Sequence, residues 1–207
     1  MSKSGCDYTL GELASACDTA YSKGVVKGYL INKRDVTLTW GETATTYNVI
    51  TGIALAEGAT AKEIKDYRRA RFDGSEKASS DGAYEGETQK TFGFNFKNRT
   101  ILGAQDVDAL TKNPDGWLVI LQYGKDLGSA AFEVIGAQSA ARVTRVNTSL
   151  SVEDELENTP TIQMQATEGQ YATFFNSAGS SATEEEAYAA NLAALTELVN
   201  PTEEGGE

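Results

Sequence analysis

The 207-residue sequence predicts a mainly β protein: a β-sandwich or barrel of about eight to ten strands, with one short flanking helix and a C-terminal helix. Three observations carry this. Phe92, Phe94 and Phe96 recur at period two, the mark of a strand buried on one face. Trp117–Tyr123 (WLVILQY) is a nearly continuous apolar run too short for a helix and bounded by Asp115-Gly116 and Gly124, as in a central strand. The clearest helical stripe, Tyr188, Leu192, Leu195 and Val199, lies at the C-terminal end, behind the small-residue linker Ser177–Ser181. These features divide the chain into an arm (1–23), a β domain (24–176) and a linker, amphipathic helix and acidic tail (177–207).

The arm is small and polar and holds both cysteines, Cys6 and Cys17, each followed by Asp. It reads as a short helix around Gly11–Ala20 or as an extended arm. Strand formers begin at Gly24: Val25, Lys27, Tyr29 and Ile31 share one face, and Val26, Gly28 and Leu30 the other. Asn32–Asp35 turns the chain into Val36, Leu38 and Trp40, which alternate with Thr37 and Thr39. Gly41–Thr45 is a turn before a strand over Thr46–Leu55. Residues 60–73 fit two patterns. Thr60 to Glu63 resembles a capping box, yet Ile64, Arg68, Ala70 and Phe72 also alternate; the strand reading is preferred because a hairpin follows. Gly74–Glu87 (GSEKASSDGAYEGE) has almost nothing to bury and reads as a long loop joining two strands.

Ala104–Lys112 is the short helix, stopped by Asn113-Pro114. After the Trp117–Tyr123 strand, Gly124–Gly128 turns, and Ala130–Ile135 and Ala141–Leu150 are further strands. Glu153–Glu157 forms an acidic loop ending at Pro160. Thr161–Thr167 alternates Ile162, Met164 and Ala166 with polar residues, and Gly169-Gln170 turns into Tyr171–Phe175. The C-terminal helix starts at Thr183, with Glu184, Glu185 and Glu186 in a first turn where the helix dipole favours carboxylates. Its apolar stripe needs a groove, on its own domain or on a neighbouring subunit. Pro201 ends it.

Composition excludes several kinds of chemistry. There is no histidine, so Ser-His-Asp and Cys-His catalysis and imidazole metal sites are out. Two cysteines cannot build a four-sulfur metal site, and no Cys-x-x-Cys occurs. No Gly-x-Ser-x-Gly elbow or phosphate-cradling glycine loop is found, so no catalytic, metal or cofactor site is assigned. No apolar run approaches the ~18 residues of a membrane span. The start MSKSGCDYTLGEL lacks the pattern of a signal peptide. Lys62, Lys65, Arg68, Arg69 and Arg71 are the one basic concentration, interrupted by Glu63 and Asp66 as on a solvated face.

Charge is segregated. The net charge of -12 comes wholly from Ser151–Glu207, which has twelve acidic residues and no Lys or Arg; up to Leu150 acids and bases balance at eighteen each. Such a chain is poorly suited to bind nucleic acid by neutralising phosphates. Extended loops, terminal arms and many strand edges suit a protein that assembles with copies of itself.

From Cys17 onward the order of features resembles the tail tube proteins of tailed phages and prophages of Bacteroidetes-type bacteria. The resemblance rests on Cys17-Asp18, Gly24–Ile31, Asp35-Val36-Thr37, Asp66-Tyr67-Arg68-Arg69, the polar loop Gly74–Glu87 and the aromatic strand Phe92–Phe96. It continues through Ala104–Lys112, Trp117–Tyr123 and the acid-and-Pro loop Glu153–Pro160, covering roughly residues 17–176. It implies a homo-oligomer: hexameric rings stacked into a tube in the virion, made in the host bacterial cytoplasm, contacting other tail or neck proteins and passing DNA without binding it specifically. In that setting Gly74, Ser79, Asp81, Gly82, Tyr84, Glu85 and Gly86 form a loop that reaches the adjacent ring. Glu153, Asp154, Glu155, Glu157 and Glu168 are candidates for an anionic lumen wall. The C-terminal helix and acidic tail depart from the family's pattern; from its own apolar stripe, Tyr188, Leu192, Leu195 and Val199 are candidates for a subunit-docking surface. Head–tail connectors, tail terminators and capsid-decorating proteins are alternatives of the same class. A carbohydrate-binding β-sandwich using Tyr84 and Tyr171 is the alternative of another class.

Overall fold

A computed structural model describes residues 25–43, 46–64, 75–79, 87–94, 101–146, 162–179 and 182–201. The fold is mainly β. Among these residues eleven strands form two sheets. The larger contains β1 (Lys27–Asn32), β2 (Val36–Trp40), β3 (Val49–Leu55), β4 (Lys62–Ile64), β7 (Trp117–Gln122), β8 (Phe132–Ile135) and β11 (Phe174–Phe175), in the order β2-β3-β11-β8-β7-β1-β4. The smaller contains β5 (Ser75–Ser79), β6 (Thr88–Phe94), β9 (Arg142–Val146) and β10 (Ile162–Glu168), in the order β5-β6-β10-β9. Two helices flank them, α1 (Ile101–Lys112) and α2 (Glu184–Val199).

Three layers result, because the larger sheet is apolar on both faces. One face presents Leu30, Val119, Leu121 and Ile135 to Phe92, Phe94, Ile162, Met164 and Ala166 of the smaller sheet. The other presents Tyr29, Ile31, Ile50, Leu118, Ile120, Phe132 and Val134 to α2. This is why β7 reads as a continuous apolar run: Leu118 to Leu121 are fully buried, with alternate residues feeding different cores. Val107 and Leu110 of α1 pack against the inter-sheet core, where the Trp117 indole N–H donates to the Leu110 carbonyl (3.0 Å).

The short helix, the central strand, the Asn32–Asp35 turn and the inward set Ile162, Met164 and Ala166 all stand where the sequence puts them. Of the ambiguous stretch 60–73, Lys62–Ile64 is a strand paired antiparallel with β1; residues 65–73 lie outside the described set. Three strands are shorter than the sequence reading has them: Val49–Leu55 in place of Thr46–Leu55, Phe132–Ile135 in place of Ala130–Ile135, and Phe174–Phe175 in place of Tyr171–Phe175. One segment changes type. Ser75–Ser79, read as loop, is strand β5, with Ser75 opposite Phe92 and Ser79 opposite Thr88. An edge strand can draw its stability from the backbone ladder alone, since β6 supplies the core-facing phenylalanines; composition therefore conceals it. The connection shrinks to residues 80–87.

Two glycines hold the start of β7. Gly136 has φ 88°, and a Cβ there would meet the Trp117 carbonyl oxygen at 2.4 Å. Gly116 has φ 73°, and its Cβ would lie 2.8 Å from that of Ala140. Both conformations favour glycine, and they let the chain return so that Trp117 and Ala141 exchange backbone hydrogen bonds (2.9 and 2.8 Å).

Candidate functional site

The sequence candidates separate. Ser79 ends β5; Gly74, Asp81, Gly82, Tyr84, Glu85 and Gly86 lie outside the described residues, as do Glu153, Asp154, Glu155 and Glu157. Glu168 is a correction. Expected on a water-facing wall, it is 2 % exposed and cannot line a lumen from that position. It is the last residue of β10 and continues the inward set of Ile162, Met164 and Ala166, so the strand's own period buries it.

Its partner is Lys90, equally hidden on β6. Both side chains have zero exposure, and Lys90 Nζ lies 2.5 Å from Glu168 Oε2. Register explains the meeting: Lys90 pairs with Ala166 and Thr88 with Glu168, making Lys90 and Glu168 diagonal neighbours on one face. Glu168 Oε1 accepts the backbone N–H of Gln138 (3.0 Å), just beyond β8, and the Gly169 N–H donates to Gln138 Oε1 (2.9 Å). Lys33, half-buried after β1, donates from Nζ to the Ala137 carbonyl (2.5 Å). Burial lowers the Lys33 pKa, and the charge of Glu168 opposes that shift. One carboxylate thus ties both sheets together. Removing one member of such a buried pair ordinarily costs ~3–5 kcal/mol, because the other charge is stranded. Sequence reasoning missed this site, although a signal existed: Lys90 shares the period of Phe92 and Phe94, and Glu168 that of Met164.

The docking helix is a second correction. Leu195 is fully buried in the core of its own domain, with Tyr188, Leu192 and Val199 packed around it. The groove for the stripe is the open face of the larger sheet, which would otherwise expose Ile31, Leu118 and Ile120 to water. Polar contacts fix the register. Asn191 accepts the Ser177 N–H (2.7 Å) and donates to the Phe175 carbonyl (3.1 Å), and the Ala61 N–H donates to the Leu198 carbonyl (2.8 Å). Gln122 bridges sheet and helix, accepting from the Tyr29 hydroxyl (3.1 Å) and donating to that of Tyr188 (2.8 Å). These residues are consumed in holding the domain together.

What remains available is at the surface. Among the described residues β2 is an edge of the larger sheet, reading Val-Thr-Leu-Thr-Trp without a charge; Val36, Leu38 and Trp40 pack inward while Thr37 and Thr39 are exposed. β4 is the opposite edge among the described residues. Tyr47 (58 % exposed) and Tyr171 (70 %) stand on turns joined by Gln170 Nε2 donating to the Tyr47 carbonyl (3.1 Å) and Asn48 Nδ2 to the Ala172 carbonyl (3.2 Å). Among the described residues no cluster of three His, Cys, Asp or Glu could hold a metal ion, and no helix is long and apolar enough to cross a membrane. Comparison with protein-family models, curated proteins and solved structures finds no match.

Proposed function

We propose that the chain is a self-assembling structural protein of a tailed phage, the subunit of stacked hexameric rings that form the tail tube and conduct DNA. The observation that carries this reading is the β2 edge. Among the described residues it is an uncharged strand at the border of the larger sheet, with its apolar side chains packed inward. Edge strands that must avoid partners are commonly protected by charge, proline or a covering segment; β2 has neither charge nor proline. A neighbour pairing its opposite edge with β2 would make a head-to-tail contact, the kind that closes into rings.

Charge supports the same reading. A conduit for DNA must not hold phosphates, and an anionic wall leaves the duplex free to slide. Glu153, Asp154, Glu155 and Glu157 remain the acids proposed for that wall; Glu168 is withdrawn from it. The connection 80–87 is proposed to reach the next ring, extending from the β5–β6 hairpin that fixes its root.

The double variant Thr37→Lys/Thr39→Lys tests the edge. Both side chains are exposed, so the fold and its unfolding midpoint are expected to stay while sedimentation shows monomers in place of assemblies. Assemblies of unchanged size would refute pairing through β2. A second reading, a carbohydrate-binding module, is favoured by the joined turns that expose Tyr47 and Tyr171, since aromatic faces suit sugar rings. Binding on a glycan array that is lost in Tyr171→Ala would support it, and a blank array would remove it.

A further inference from the structure

We infer that Lys90 and Glu168 are the two halves of an intramolecular isopeptide bond that covalently joins β6 to β10. Four observations place the reacting groups. Both side chains are wholly excluded from solvent. Nζ and Oε2 are in direct contact at 2.5 Å, and neither atom has a hydrogen-bond partner outside the pair. Oε1 is engaged instead by the Gln138 backbone N–H at 3.0 Å. Phe92, Met164 and Ala166 are buried on the same strands, and Lys33 is close enough to feel the charge of Glu168.

The chemistry is a condensation. The reaction begins with transfer of a proton from Nζ to Oε2, which leaves a neutral amine facing a neutral carboxylic acid. The Nζ lone pair attacks Cδ. Negative charge develops on Oε1, where the Gln138 N–H already points, as an oxyanion donor must. The C–Oε2 bond breaks, Oε2 takes a proton from Nζ and leaves as water, and Nζ–Cδ becomes an amide. Atoms balance as one amide formed and one water released, with no oxidant or co-reactant. Fixed adjacency supplies the rate, as in other oriented intramolecular reactions, and the dry core favours the side of the equilibrium that expels water. The bond would replace a buried ion pair, costly to desolvate, with a neutral link across neighbouring strands.

Intact mass of the full-length protein, measured under denaturing conditions, tests this. The expected mass is one water below that of the sequence, after allowing for removal of Met1. Trypsin should fail to cut after Lys90, and tandem mass spectrometry should find a branched peptide joining Lys90 to Glu168. Lys90→Arg keeps the charge but cannot form the amide, so it should regain the full mass. Glu168→Gln, if it condenses, should lose ammonia and give the same product as the wild type. A wild-type protein of full mass with no branched peptide, in fresh and aged samples alike, overturns the inference. A water loss that persists in Lys90→Arg overturns the assignment to this pair.

Discussion

Tyr29 sits where the larger sheet meets α2, and its hydroxyl shows how one buried phenol couples stability to pH. Burial, then the charge of Glu63, then the neighbouring Tyr188 raise its pKa to about 12. The ionised form could no longer donate to Gln122 Oε1. A raised folded-state value means that the native state keeps its proton longer than the unfolded chain, so stability is complete below the ordinary tyrosine value of about 10 and is lost as pH rises through about 12. The effect is about 2–3 kcal/mol. Urea unfolding across that window should fall more steeply for wild type than for Tyr29→Phe, which loses about 1 kcal/mol of hydrogen bonding at neutral pH but has no phenol to ionise. At this scale the sequence is a mixed guide. The inward position of Phe92 and Met164 is legible from alternation, and so in principle is that of Lys90 and Glu168. Charge type masked the period there: an acid in an acidic chain reads as solvated until its opposite strand is known.

Among the elements, α2 is the most legible and its docking the least. Thr183 accepts the Glu186 N–H (3.3 Å), and the Glu186 carboxylate accepts the Thr183 N–H (2.9 Å), a reciprocal cap spelled out by Thr-Glu-Glu-Glu. Those bonds hold the Glu186 pKa below the usual carboxylate value. The apolar stripe requires a groove but does not name it, because the complementary surface is assembled from β1, β3, β7 and β8, distant in sequence. Leu195→Ala should lower the unfolding free energy by ~2–5 kcal/mol, and Thr183→Ala by about 1 kcal/mol, with subunit association unchanged in both. Loss of association at unchanged monomer stability would instead assign the helix to a neighbouring subunit. β5 shows the converse difficulty. An edge strand of polar residues carries no burial signal, and only its register against β6 distinguishes it from loop.

At the scale of the whole molecule, the proposed assembly draws, among the described residues, on the edges of the larger sheet and the turns at its ends. The acidic bias divides accordingly. Glu168 belongs to the interior, Glu184 ties the helix to the 125–130 turn through the Ser129 N–H, Glu186 caps the helix start with Thr183, and Glu153, Asp154, Glu155 and Glu157 carry the proposed electrostatic role. Architecture could be read from the sequence because periodicity follows burial; partnership could not, because an edge strand looks the same whether solvent or another subunit lies beside it. Electron microscopy of the purified protein over a range of concentrations tests the proposal most directly. Rings of constant diameter that stack into hollow tubes are expected, and a strictly monomeric protein at the highest concentration would contradict it.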